Sequence, residues 1–253
     1  MTNKITMTKE EFLKQIEKYK WDLNGLVSYL QSDEAKVFSS DSETLLAAIA
    51  IHERVFEFAS HELKSDKEFV KRVLNEVRVR ILRYVSDNLK NDKEVVMAAV
   101  SMNGGALQYA SQGLKADKEV VAAAIKSWGL ALQYASSELQ SDVDLICDAY
   151  TTHSSSLKSV NQNILSSEAF KKKFHSIISK MDKREIKQNF INDIQYIEHL
   201  PDHLKNDKEL ILGLADYLGL ALRFVSDELK NDKEIVLKAL KTDGLALQYA
   251  SNN

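Results

Sequence analysis

Apolar residues recur along this chain at helical spacing, and the same polar triplet interrupts them at regular distances. Between Asp117 and Gly129, the residues Val120, Val121, Ala124, Ile125 and Trp128 fall on one helical face. Asp117 has the short acceptor side chain of an N-cap, and Glu119 adds negative charge at the positive helix end. The pattern predicts a first helix of roughly ten residues, with Gly129 as a left-handed C-terminal cap. Leu130, Ala131, Leu132, Tyr134 and Ala135 then form a second apolar cluster, too dense for a loop and too poor in β-branched residues for a strand. That predicts a second, shorter helix ending around Ser136 to Glu138.

The unit repeats. Cap aspartates stand at Asp41, Asp66, Asp92, Asp117, Asp142, Asp182, Asp207 and Asp232, with spacings of 25, 26, 25, 25, 40, 25 and 25 residues. Lys-Glu follows the aspartate in five of them. Three residues before it lies Leu63, Leu89, Leu114, Leu139, Leu204 or Leu229, and six before it a serine, except at Pro201. Eight before it is an aromatic: Phe58, Tyr84, Tyr109, Tyr134 or Phe224, with His199 in the same slot. GLALQYAS occurs verbatim at 129–136 and 244–251. A hairpin of 25 residues is too small to bury its own apolar face, so neighbours must stack. The expected fold is all-α, an α-solenoid of about eight helical-hairpin repeats.

Two regions depart from the period. The spacing widens to 40 residues after Asp142, and SEAFKKKFHSIISKM at 167–181 has the stripe of an additional amphipathic helix capped by Ser167, so an irregular insertion is expected within 143–181. At the other end, Thr8 and Glu11 form a capping-box pattern ahead of Phe12, Ile16 and Tyr19, predicting a helix that covers the first repeat. The expected organisation is an N-terminal cap over 1–40, repeats over 41–156, an insertion over 157–181 and repeats again over 182–253. Beyond Tyr249-Ala250-Ser251 no further turn is written before Asn253. The last short helix is therefore expected to be half-exposed, or covered by a partner or by more chain.

Composition narrows the function classes. Apolar residues make up 44% and charged residues 28%, within the soluble globular range. A net charge of -3 without a basic block argues against a nucleic-acid partner. The single Cys147 excludes an internal disulfide framework, and no apolar run is long enough for a signal peptide or membrane span.

The stretch LKNDKEVVMAAVSMNGGALQYASQGLKADKEVVAAAIKSWGLALQYASSEL, from Leu89 to Leu139, closely resembles the repeat catalogued as domain of unknown function 4116. The resemblance extends to 204–251, is weaker over 55–88 and is poor before 40 and over 143–200. It implies a helical array. It also implies a bacterial cytoplasmic protein of a kind that some intracellular bacteria deliver into host cells as effectors, with no reaction attached.

Candidate chemistry is sparse. His199 and His203 have the i, i+4 spacing of a helical metal pair, but Pro201 between them discourages the helix. Cys147 has Asp144 and Asp148 nearby, which would raise rather than lower its pKa, so it is expected to be a packing residue. The Asp-Lys-Glu triplets lack the alternating carboxylates and glycine of a calcium loop. No catalytic, metal or cofactor residue is assigned. Specificity in a solenoid lies in positions that vary between repeats, here ten and eleven after the cap: Met102, Asn103, Trp128, His153, Tyr217 and Asp243. These are the expected partner-binding residues of a non-enzymatic, protein-binding scaffold. The alternative is a regulatory or enzyme-associated domain, its catalytic part outside this chain or in 143–200, where His153 and His175 would meet carboxylates in a cleft.

Overall fold

The computed structural model describes residues 7–78, 80–191 and 194–251. The chain is an all-α repeat solenoid, and no strand occurs among the described residues. It divides into two compact units, Met1–Ser136 and Ser137–Asn253.

One repeat shows how the sequence builds the unit. Asp117 Oδ1 accepts from the amides of Glu119 at 3.0 Å and Val120 at 3.3 Å, starting the helix Lys118–Ser127. Trp128 then turns extended (φ -158°), and Gly129–Tyr134 forms a six-residue 3-10 helix. The preceding repeat continues the plan: after the 3-10 helix Gly104–Tyr109, Ser111 caps the short helix Gln112–Lys115 through the amide of Leu114. A regular repeat is thus a ten-residue α-helix, two turns of 3-10 helix and a short third helix, not two α-helices.

The 3-10 form follows from the three-residue period within GLALQY. Side chains three apart eclipse in a 3-10 helix. That stacks Gly129 under Leu132, both buried, and lets the Gln133 amide reach the Leu130 carbonyl at 3.0 Å. Gln108 does the same to Gly105.

The glycines are not left-handed caps: no described glycine has positive φ. They mark close approach instead. A Cβ on Gly104 would run into the Ala124 carbonyl oxygen of the next repeat's helix, and one on Gly219 would meet the Ala239 carbonyl oxygen in the same way.

Repeats are joined by a recurring set of polar contacts. The serine amide at this register donates to a carbonyl of the previous repeat in four places: Ser86 to Lys64 at 3.0 Å, Ser111 to Lys90 at 2.9 Å, Ser226 to Lys205 at 3.2 Å and Ser251 to Lys230 at 3.0 Å. The triplet lysine reaches the next repeat's aspartate and glutamate together. Lys67 binds Asp92 and Glu94 at 2.8 Å each, Lys93 binds Asp117 and Glu119 at 2.7 Å each, and Lys208 binds Asp232 and Glu234 at 2.8 Å each.

In the first unit the helix Lys9–Tyr19 opens with the reciprocal Thr8–Glu11 capping box, buries Phe12 and Ile16, and packs on Ser42–Ile51 as a cover for the first repeat. Lys9 even binds Asp41 at 2.7 Å, in the manner of a triplet lysine. In the second unit the insertion is narrower than the spacing suggests. Residues 143–165 keep the repeat plan as Val143–Thr152, Ser154–Ser159 and Gln162–Leu165, and the departure is the helix Glu168–Ile178, which buries Phe170, Phe174 and Ile178. Among the described residues no helix is long and apolar enough to cross a membrane.

Candidate functional site

The first unit carries a groove of about 780 Å³. One wall comes from the least regular repeat. Its main helix, Lys67–Arg72, relaxes into a π-turn over Val73–Val77 and ends at Arg78 with φ 60° and ψ 45°, the one non-glycine residue of positive φ among those described. Arg78 occupies the register slot that Gly104 and Gly129 fill in the following repeats. The stretch that matches GALQYAS at 105–111 runs from Arg80 to Ser86 here, and Arg78, Arg80 and Arg83 all reach the groove.

All three arginines are exposed, and none makes an ion pair among the described residues. The Arg83 guanidinium lies 4.7 Å from the Tyr84 ring centroid, a cation–π contact. Glu53 is the one carboxylate in the lining, and its Oε2 accepts weakly from the Arg80 amide at 3.4 Å rather than from a guanidinium.

Aromatic side chains line the same groove. Tyr84, Tyr109 and Tyr134 come from the same slot of three successive repeats, so stacking sets them in a row. Trp128 is half-buried, tilted against Tyr134 at 6.4 Å, with its six-membered ring over Gly105. The glycine pair Gly104-Gly105 leaves the room that this indole takes. Met102 and Asn103 complete the rim, and Asn103 Oδ1 caps the following 3-10 helix through the Gly105 amide at 3.2 Å.

Three of the six residues expected to bind a partner, Met102, Asn103 and Trp128, meet here. His153, Tyr217 and Asp243 belong to the second unit and not to this groove. His153 is exposed, Tyr217 is 57% exposed with the Lys187 ammonium 4.9 Å from its ring, and Asp243 caps the last 3-10 helix through Leu245. The arginines do not stand out in the sequence because 55–88 reads as a weak copy of the repeat. Their signal was present in the text: three arginines in six residues where the other repeats have none or one.

The remaining candidates resolve into packing. His199 is buried between Tyr196 and the edge of Phe170, its carbonyl 3.0 Å from His175 Nε2, while His203 is exposed on the next helix. Burial holds the His199 imidazole below its ordinary pKa, so its 3.4 Å approach to Glu198 is not a charged pair at neutral pH. Burial pushes the Cys147 thiol up to about 11. Among the described residues no group of three or more His, Cys, Asp and Glu side chains could hold a metal ion.

Comparison with curated proteins and with solved structures returns no match. The family described as Domain of unknown function (DUF4116) matches residues 41–76, 79–115, 117–165 and 211–253, together more than half of the chain. Those segments carry four of the five Asp-Lys-Glu caps and the 3-10 helices described above, and the chain belongs to the DUF4116 family.

Proposed function

We propose that this protein is a non-enzymatic, protein-binding repeat scaffold that holds an acidic, aromatic-bearing protein segment in the groove of its first unit. One observation carries this reading: three exposed guanidiniums without ion pairs line the same concave surface as three tyrosines and a tryptophan. Arginine forks match carboxylates bidentately, and Trp, Tyr and Arg are the residue types that anchor interfaces.

A nucleic-acid strand suits the groove less well. Its backbone needs positive charge along the whole track, whereas here the lining cations all come from one repeat, Glu53 sits among them, and the chain is net negative. The role fits the effector repertoire implied by the repeat family, in which a delivered scaffold engages a host protein.

The test is fluorescence anisotropy with a labelled peptide alternating glutamate and phenylalanine. Binding should be saturable, weaken with salt, and fall roughly tenfold or more when Arg80 and Arg83 are both changed to glutamate. Trp128→Ala should weaken it by a salt-independent factor. Equal binding of the lysine-phenylalanine counterpart, or tighter binding of single-stranded RNA than of the acidic peptide, overturns the reading.

A further inference from the structure

Three successive repeats line most of the groove of the first unit, and they do not contribute alike. The repeats stack in chain order, because Lys67 clasps Asp92 and Glu94 of the next repeat, and Lys93 clasps Asp117 and Glu119 of the one after. The repeat a lining residue belongs to therefore gives its position along the groove. The one that follows Asp66 supplies Arg78, Arg80 and Arg83, the one that follows Asp92 supplies Tyr109, and the one that follows Asp117 supplies Trp128 and Tyr134.

Two register positions show how abruptly the charge changes. Counted back from the next cap, Arg80, Gly105 and Leu130 are equivalent, as are Arg83, Gln108 and Gln133. Both positions lose their charge in a single repeat step. The glutamine amides turn back on their own helices, Gln108 to the Gly105 carbonyl and Gln133 to the Leu130 carbonyl, each at 3.0 Å. In the repeat before, the same two positions hold Arg54 and Glu57, which pair with each other at 3.0 Å. The exposed guanidiniums without ion pairs thus form a band one repeat wide, and beyond it Glu53 alone reaches the lining.

Aromatic side chains follow a different distribution. The tyrosines run through all three repeats, but the tryptophan belongs to the third, where Trp128 lies tilted against Tyr134 at 6.4 Å with its ring over Gly105. The main helices of these repeats are in contact. Packed helices lie about 8–10 Å apart, so one to two repeat steps separate the cationic end from the indole by roughly 8–20 Å. No charged residue of the third repeat lines the groove, so a carboxylate placed there gives up water without gaining a cation. We infer that the segment held in this groove is bipartite: its carboxylates are grouped at one end, over Arg78, Arg80 and Arg83, and its aromatic side chains at the other, against Trp128 and Tyr134. About three to six residues of extended chain bridge that distance. The inference rests on the reading of the groove given above and adds to it the order of the partner's residues.

The experiment titrates the full, unaltered chain into three labelled peptides of one composition and follows fluorescence anisotropy. The first joins four glutamates to Phe-Trp-Phe through four glycine and serine residues, the second reverses the two blocks, and the third interleaves the same residues. The better of the two block orders should bind roughly tenfold more tightly than the interleaved peptide, because two contacts on a tether of matching length act as an intramolecular pair. Removing the spacer should lose most of that gain. In the better peptide, a diazirine cross-linker beside the glutamates should mark Arg80–Tyr84, and one beside the aromatics should mark Trp128–Tyr134. An interleaved peptide that binds as tightly as both block orders overturns the inference and leaves the reading of the groove in place, as does cross-linking of both ends to the same repeat. Absence of saturable binding by all three peptides defeats the inference and that reading together.

Discussion

The Nζ of Lys93 lies 2.7 Å from the Oδ2 of Asp117 while the Oδ1 of the same carboxylate caps the helix that Asp117 begins. One side chain thus starts a helix and fastens it to the repeat before. Asp117→Ala removes both roles and should cost about 0.5–2 kcal/mol. Asp117→Asn keeps the acceptor and loses the charge, so its cost should be the smaller of the two. Urea unfolding of both variants, repeated at high salt, checks the order, since salt should narrow the gap between wild type and Asp117→Asn.

The glycine joints give a paired comparison at one register. Gly104→Ala places a methyl against the Ala124 carbonyl and should destabilise by about 1–3 kcal/mol. Gly244→Ala has open space in front of it and should stay within about 0.5 kcal/mol. Thermal melts that rank the two alike would contradict close approach as the reason for the glycine.

Leucine at the fourth position of the 3-10 helix offers a second pair. Leu132 is 1% exposed, and Leu132→Ala should cost about 2–5 kcal/mol, whereas Leu247→Ala should change stability little. Denaturant midpoints for the two variants test this directly.

Acid should loosen the array. Hydrogen bonding from the bridging lysines holds the carboxyls of Asp92, Asp117 and Asp232 below their ordinary value of 3.8. A depressed folded-state pKa contributes stability that is present above the unfolded value and is lost as pH falls through the folded one. The difference in urea midpoint between wild type and Asp117→Asn should hold steady from neutral pH down to about 4 and shrink below it, while the buried His199 lowers the midpoint of both as pH falls below its ordinary 6.5. On the alkaline side Lys208 is raised to about 12 by Asp232 and Glu234, so its contribution persists until the pH passes the ordinary lysine value. A wild-type to Asp117→Asn difference that shrank between pH 7 and 5 would contradict this assignment.

Arg78 carries a conformational cost in its left-handed backbone. Arg78→Gly should raise stability by up to about 1 kcal/mol and at the same time weaken capture of the acidic peptide. A variant that loses stability instead would show that the guanidinium holds the π-turn in place.

Much of the fold was legible because its determinants are local. Asp117 announces a helix to anyone who knows what an N-cap needs, and the 25-residue spacing carries that inference down the chain. What was not legible is what each residue meets 20 or more positions away. Lys93 reads as a solvated charge until Asp117 and Glu119 of the next repeat are seen on either side of its ammonium. Gly129 satisfies a capping rule on paper, yet its slot is set by backbone approach between helices, as Gly104 and Gly219 show, and no local pattern separates those two reasons. Of the groove, Trp128, Met102 and Asn103 were reachable as idiosyncratic positions. Arg78, Arg80 and Arg83 were not, because attention to the repeat discounts the copy that departs most from it.

The junctions at Ser86, Ser111, Ser226 and Ser251 close with the same serine amide on the same carbonyl of the repeat before, and the caps Asp92, Asp117 and Asp232 add the same lysine clasp. Joints that are alike are interchangeable: excise one module and the ends left behind still match. Such a polypeptide can gain or lose length in whole steps over evolutionary time without inventing a new core, and its reach is then a quantity that selection tunes by counting.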